Sequence, residues 1–139
     1  MQTNEQLLDL LENYLAQREL PTEPERLYDP IGYSLAGGGK RLRPMLLMLA
    51  HGIFTDRFQA ALPAAAAVEV FHNFTLLHDD IMDNAAVRRG KPSVYARWGG
   101  NVAILSGDAM LISAYRLLAQ APPALLPRIL EVFNTMALG

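Results

Sequence analysis

Residues 64–83, AAAAVEVFHNFTLLHDDIMD, admit one regular structure. Their apolar residues recur at helical intervals, so a helix is predicted, opened by Pro63, whose missing N–H no first turn requires, and closed by the loop NAAVRRGKP. The rest of the chain reads the same way. Residues 3–18 open with Thr3 and Gln6 at capping-box spacing and place Leu7, Leu8, Leu11 and Leu15 on one stripe. A second helix is expected from Pro24, stopping before Gly37, Gly38 and Gly39, because consecutive glycines favour non-helical backbone. Pro44 suits the first turn of a third helix, PMLLMLAHGIF. Further helices are expected from about residue 101 to 121 and from about 124 onward, with Pro122 and Pro123 between them. No period-two strand of useful length stands out, and there is no internal repeat or low-complexity linker. The predicted class is all-α: an antiparallel helical bundle with short connections.

Composition bounds the function. With 139 residues, 51% of them hydrophobic, the chain suffices for one core and not for two domains of ordinary size, so residues 1–139 are taken as a single domain. The formal net charge of −2 provides no global field to recruit nucleic acid, and any anion site must come from local clusters. Without cysteine there is no disulfide framework, no thiolate nucleophile and no zinc knuckle, which fits a reducing compartment. The N-terminus is an amphipathic acidic stretch rather than a signal peptide, and no apolar run approaches the ~20 residues of a membrane span. A cytoplasmic protein is expected.

The chemistry concentrates where the long helix ends. At about 100° per residue, Asp79 and Asp83 lie one turn apart on one face and Asp80 about 100° round from Asp79, so three carboxylates share a sector. His72 and Leu76 fall on nearly the same stripe as Asp79, which makes the apolar run a wall beneath a polar rim. The helix is expected to end near Asn84. Carboxylates there face the negative end of the macrodipole at a penalty of roughly a few tenths of a kcal/mol each, and they repel one another. A bound divalent cation removes both penalties, and hard oxygen donors without cysteine or a histidine cluster select magnesium over zinc. Arg88 and Arg89 follow in a loop marked by Gly90 and Pro92, too far round to pair with the acids on a continuing helix. Magnesium carboxylates beside two arginines suit a polyphosphate, since guanidinium forks clamp its oxygens. A second basic cluster, GGGKRLRP, brings Lys40, Arg41 and Arg43. Two basic clusters around one acidic cluster suggest two anionic substrates at one metal site. The bland alternative is a solvated helix end beside surface ion pairs of little energetic weight.

Taken together, GGGKRLRP, EVFHNFTLLHDDIMD, RRGKPSVYARWG and ILSGDAML resemble, in order and spacing over residues 37–111, the motifs of the trans-isoprenyl diphosphate synthases, the polyprenyl synthetase family. The resemblance implies the N-terminal half of the isoprenoid synthase fold, helices packed round a deep cavity. It also implies a homodimer and the head-to-tail condensation of isopentenyl diphosphate with an allylic diphosphate (dimethylallyl, geranyl or farnesyl). Carried over by motif, Asp79 and Asp83 would hold Mg2+ on the allylic diphosphate, with Asp80 supporting the cluster, and Arg88 would contact that diphosphate. Lys40, Arg43, His72 and Arg89 would hold the diphosphate of isopentenyl diphosphate. Arg41, Glu69 and His78 read as neighbouring support, and His51 as an ordinary helix residue. Family members are much longer and carry a second aspartate-rich motif that residues 90–139 lack. Condensation by this stretch alone is therefore expected to be negligible. A non-catalytic partner subunit is the alternative, though such subunits commonly lose the aspartates retained here; a helical interaction module without a ligand is another.

Product length turns on Phe74 and Thr75. Thr75 lies within about 40° of the Asp79 direction and Phe74 well to one side. In the family, bulk at either position resembles a floor for short products, and the acidic motif here lacks a two-residue insertion found in many bacterial farnesyl synthases. The resemblance thus favours geranylgeranyl diphosphate, then farnesyl diphosphate, with Phe74 supplying the bulk; otherwise Phe74 only packs between helices.

Overall fold

Helix boundaries follow local chemistry in the computed structural model, which describes residues 2–17 and 21–139. Helix α1 (Asn4–Ala16) starts with the expected capping box: the Thr3 hydroxyl accepts from the Gln6 N–H, and the Gln6 side chain accepts from the Thr3 N–H. Leu7, Leu11 and Leu15 are buried and Leu8 is only half-buried; the expected helix end at residue 18 lies outside the described residues. Helix α2 (Glu25–Ala36) follows Pro24 and stops at Gly37. Helix α3 (Leu42–Gly52) holds Pro44 in its first turn, and α4 (Leu62–Met82) carries Pro63 at its start.

Two expectations change beyond α4. The segment expected to be plain loop contains a two-stranded ladder, β1 (Val87–Arg88) against β2 (Lys91–Pro92), with Val87 opposite Pro92 and Arg88 opposite Lys91. The two residues between the strands, Arg89 and Gly90, have φ of +53° and +76°, the pair of positive values that a type I′ hairpin turn requires. The helix expected from about 101 to 121 is α6 (Gly100–Leu118), and a short helix that was not expected, α5 (Val94–Trp98), precedes it. Ser93 caps α5 through the Ala96 N–H, and Gly99, at φ +90°, turns the chain between them. Helix α7 (Leu126–Leu138) completes the described elements. The class is all-α, as expected.

Helix α4 is the central element, packed against α6, α3 and α1. Buried Ala65, Ala66 and Ala67 on α4 and Ala103 and Gly107 on α6 keep the two helices close. At Gly107 an added Cβ would lie 2.5 Å from His78 Nε2. Leu11, Met48, Met110 and Leu118 are almost wholly buried, each stabilising the fold by about 1.5–3 kcal/mol relative to exposure. The Ser106 hydroxyl donates to the Leu27 carbonyl and ties α6 to α2. Among the described residues no helix is long and apolar enough to cross a membrane.

Candidate active site

The acidic triplet divides. Asp80 is 2% exposed and is held by a bidentate fork from Arg88, with Nε 2.8 Å from Oδ2 and Nη2 2.7 Å from Oδ1. That hydrogen bond raises the Arg88 pKa against a smaller opposing effect of burial. Asp79 and Asp83 are exposed, and among the described residues neither side chain has a hydrogen-bond or ion-pair partner. The expectation of three carboxylates in one sector is thus corrected: Asp80 turns inward and Asp79 and Asp83 remain available. The arginines lie off the helix, as expected, and the β1–β2 hairpin folds Arg88 back over Asp80.

The described residues contain no group of three histidine, aspartate or glutamate side chains able to hold a metal ion. The pair Asp79 and Asp83 nevertheless fits magnesium, which keeps several waters and is commonly held by one or two carboxylates together with substrate phosphates.

The basic residues also divide. Lys40 and Arg43 flank Arg41 and are exposed, and Arg89 is exposed on the hairpin turn. None of these three is ion-paired among the described residues. Arg43 Nη1 donates to His72 Nε2 at 3.2 Å, so this contact requires a neutral imidazole with its proton on Nδ1. Burial, then the charge of Arg43, holds the His72 pKa below its usual value, with Arg89 and Arg88 adding and Glu69 opposing. Arg89 Nη1 donates to the Gly38 carbonyl. Burial depresses its pKa as well, reinforced by Arg41 and Arg88 and opposed by Glu69 and Asp80. The glycines make this contact possible. Gly38 and Gly39 adopt φ of +82° and +135°, and a Cβ on Gly39 would sit 2.9 Å from Arg89 Nη2. The loop and the hairpin, far apart in sequence, therefore form one basic surface beside α4, with His72 on it.

Arg41 behaves differently from its neighbours. It is 4% exposed at φ +50°. Its Nε donates to Glu12 Oε1 at 2.7 Å, Nη1 to Glu69 Oε1 at 2.9 Å and Nη2 to the Leu35 carbonyl at 2.6 Å. Asn73 Nδ2 donates to the Glu69 carbonyl and carboxylate, and the Ser34 hydroxyl donates to Asn73 Oδ1. Sequence reasoning placed Arg41 and Glu69 only as support and passed over Glu12, Asn73 and Ser34. Glu69 and Asn73 lie four apart on one helix face, and an acid inside an otherwise apolar run was the available signal.

Phe74 is half-buried, its ring 5.3 Å from Phe71 and 4.9 Å from His78, both edge-on. Phe71 in turn meets Phe133 of α7 at 5.4 Å. The Thr75 hydroxyl donates to the His72 carbonyl. His78 Nε2 lies 3.3 Å from the Ile104 carbonyl of α6, away from the basic surface. His51 Nε2 donates to the Arg57 carbonyl at 3.0 Å, which makes it a brace for the turn after α3.

Residues 24–139 match the polyprenyl synthetase family. The chain belongs to that family. Among relatives of this family member, a geranylgeranyl diphosphate synthase of Methanosarcina mazei is 48% identical over 99 residues, covering 71% of this chain and 31% of that protein. A crystal structure of a geranylgeranyl pyrophosphate synthase superposes with a TM-score of 0.95 at 47% identity, over 99% of this chain and 42% of that one. A geranyltransferase from Helicobacter pylori, solved in complex with magnesium and isoprenyl diphosphate, has a TM-score of 0.78 at 25% identity and covers 93% of this chain and 46% of that one. The chain thus spans less than half the length of each of these three proteins.

Proposed function

We propose that the protein to which this chain belongs is a magnesium-dependent prenyltransferase. It condenses isopentenyl diphosphate with an allylic diphosphate (dimethylallyl, geranyl or farnesyl) to give a short-chain product, and it works as a cytoplasmic homodimer. The observation that carries this reading is the division of charges: among the described residues Asp79 and Asp83 are unpartnered and open, Lys40, Arg43 and Arg89 are not ion-paired, and Asp80 and Arg88 neutralise each other. A surface salt-bridge cluster would pair the exposed charges rather than tie Arg88 to the buried Asp80 and leave the others open. The Helicobacter pylori relative and its magnesium complex support the same reading, as does the fit of the aspartate pair to magnesium.

In this reading Asp79 and Asp83 hold magnesium. Bound there, the ion would neutralise the allylic diphosphate and make it a better leaving group. Arg88, oriented by Asp80, directs its remaining N–H groups to the same diphosphate, so positive charge is preorganised where negative charge develops. Lys40, Arg43, His72 and Arg89 hold the diphosphate of isopentenyl diphosphate, whose alkene attacks the allylic cation left when the C–O bond breaks and the allylic diphosphate departs. The lost proton passes to the departed diphosphate. Apolar side chains of α4 below the carboxylates, Leu76 among them, keep water from the cation. Residues 1–139 act as the N-terminal part of one helical domain, and by themselves they turn over negligibly. Retention of both open aspartates favours this reading over a non-catalytic partner subunit.

We propose geranylgeranyl diphosphate as the product, with farnesyl diphosphate second, because the ring of Phe74, braced by Phe71 and His78, narrows the path beside Thr75. The experiment is product analysis of the full-length protein with labelled isopentenyl diphosphate, with and without a chelator. Magnesium-dependent C20 or C15 product is expected, with longer chains from Phe74→Ala. No condensation by the full-length protein would overturn the enzymatic reading. Long products from the unmodified protein, or no lengthening in the variant, would place the floor elsewhere.

A further inference from the structure

Lys40 and Arg43 are open cations, whereas Arg41 between them is sealed in the protein. Its guanidinium spends its donors on three separate elements: Glu12 of α1, the last turn of α2 through the Leu35 carbonyl, and Glu69 of α4. It therefore has no face left for a substrate. Two features set it apart from an ordinary core ion pair. Its backbone sits at φ +50°, a conformation uncommon for a residue other than glycine, asparagine or aspartate, and one that persists only where its surroundings enforce it. It also lies two residues after Gly39, at the end of the glycine loop whose Gly38 carbonyl receives Arg89. A buried ion pair is weak evidence for stability, since apolar replacements of similar volume are often as stable; what three anchors on three helices provide is a fixed loop.

We propose that Arg41 is a positioning residue for the diphosphate site formed by Lys40, Arg43, His72 and Arg89. Its guanidinium pins residues 37–43 to α1, α2 and α4, so that Lys40 and Arg43 project together and the Gly38 carbonyl holds Arg89 beside them. Through Glu12, helix α1, which carries none of the site's own cations, becomes part of the machinery that shapes the site. The inference rests on the prenyltransferase reading and adds to it an asymmetry between the two substrates. The Asp79, Asp83 and Arg88 side of the site has no hydrogen bond to this network among the described residues, so loosening the loop affects one diphosphate and spares the other.

The test uses full-length protein. Arg41→Met leaves Glu69 buried without its cation and is expected to impair folding, so the decisive variants are Arg41→Lys and Glu12→Ala. Lysine keeps the charge and cannot reach three acceptors in a planar fork; Glu12→Ala removes the outer anchor alone. In both, KM for isopentenyl diphosphate is expected to rise roughly tenfold or more, while KM for the allylic diphosphate stays within about twofold and kcat changes little, the signature of lost ground-state positioning. Hydrogen exchange of the amides of residues 37–43 is expected to quicken in parallel. Equal changes in both KM values, or none in either, would overturn the proposal, as would unchanged exchange. Absence of condensation by the unmodified protein defeats the prenyltransferase reading instead, and the exchange measurement still tests the positioning claim.

Discussion

One face of α4, carrying Glu69, His72, Asn73 and Asp80, meets the glycine loop and the hairpin; the opposite side, carrying Phe74 and His78, turns toward α6. On the first, contacts are charged or hydrogen-bonded and come from segments of irregular backbone. On the second they are mainly rings, alanines and a glycine between regular helices, with His78 reaching the Ile104 carbonyl and Asp108 of α6. All three described non-glycine residues with positive φ, Arg41, Asn84 and Arg89, lie in the segments attached to the first face. Such conformations cost of the order of 1–3 kcal/mol each and here are held by specific bonds: Arg41 by its carboxylates, Arg89 by Gly38, Asn84 by the Tyr95 hydroxyl. One helix thus spends one side on stability and the other on placing charge, so substitutions on the two sides are expected to fail in different assays.

The sharpest separation concerns the open carboxylates. Asp79→Ala or Asp83→Ala in the full-length protein is expected to lower kcat by roughly a hundred- to a thousandfold while stability stays within about 0.5 kcal/mol. Steady-state kinetics beside a thermal melt reads both, and a large loss of stability with intact kinetics would assign these residues to the fold. On the α6 side the outcome is expected to reverse. Met110→Ala should cost about 2–5 kcal/mol in a denaturant titration, with KM for both diphosphates unchanged.

A smaller effect tests the seam between loop and hairpin. Gly39→Ala places a methyl group against Arg89 at a φ that disfavours it, so a loss of about 1 kcal/mol in stability is expected, together with weaker binding of inorganic diphosphate by calorimetry. Binding that survives would show that Arg89 need not be held by the loop. The smallest effect is the pH dependence from His72. Its folded pKa lies below the ordinary histidine value, so the native state binds the proton less readily than the unfolded chain does. The associated stability is present above about pH 6.5 and is lost as pH falls through the lowered pKa. His72→Gln should remove that part of the slope in melts between neutral and mildly acidic pH; an unchanged slope would assign it to other groups.

The capping box at Thr3, the prolines at helix starts and the break after Ala36 were readable from the sequence because each depends on residues within one turn. The candidate ligands Asp79 and Asp83 were readable too, since helical spacing alone puts them on one face. The short helix α5 was missed because five residues carry too little apolar pattern to be read, and Gly99, which ends it, acts through its backbone conformation. The hairpin was missed because two-residue strands carry no periodicity; only Arg89 and Gly90 at its turn hinted at it.

By itself the sequence determined the all-helical class and the family to which the chain belongs, since each follows from local periodicity or from short ordered motifs. Only the tertiary structure decided which charges are free and which are paired. Asp80 sits beside Asp79 in the chain, yet one is forked by Arg88 and buried and the other is open. Arg41 lies between two open cations and is enclosed by acids from two other helices. Long-range pairing depends on where distant segments return, and burial in a medium of low dielectric separates chemically identical side chains into structural and available ones.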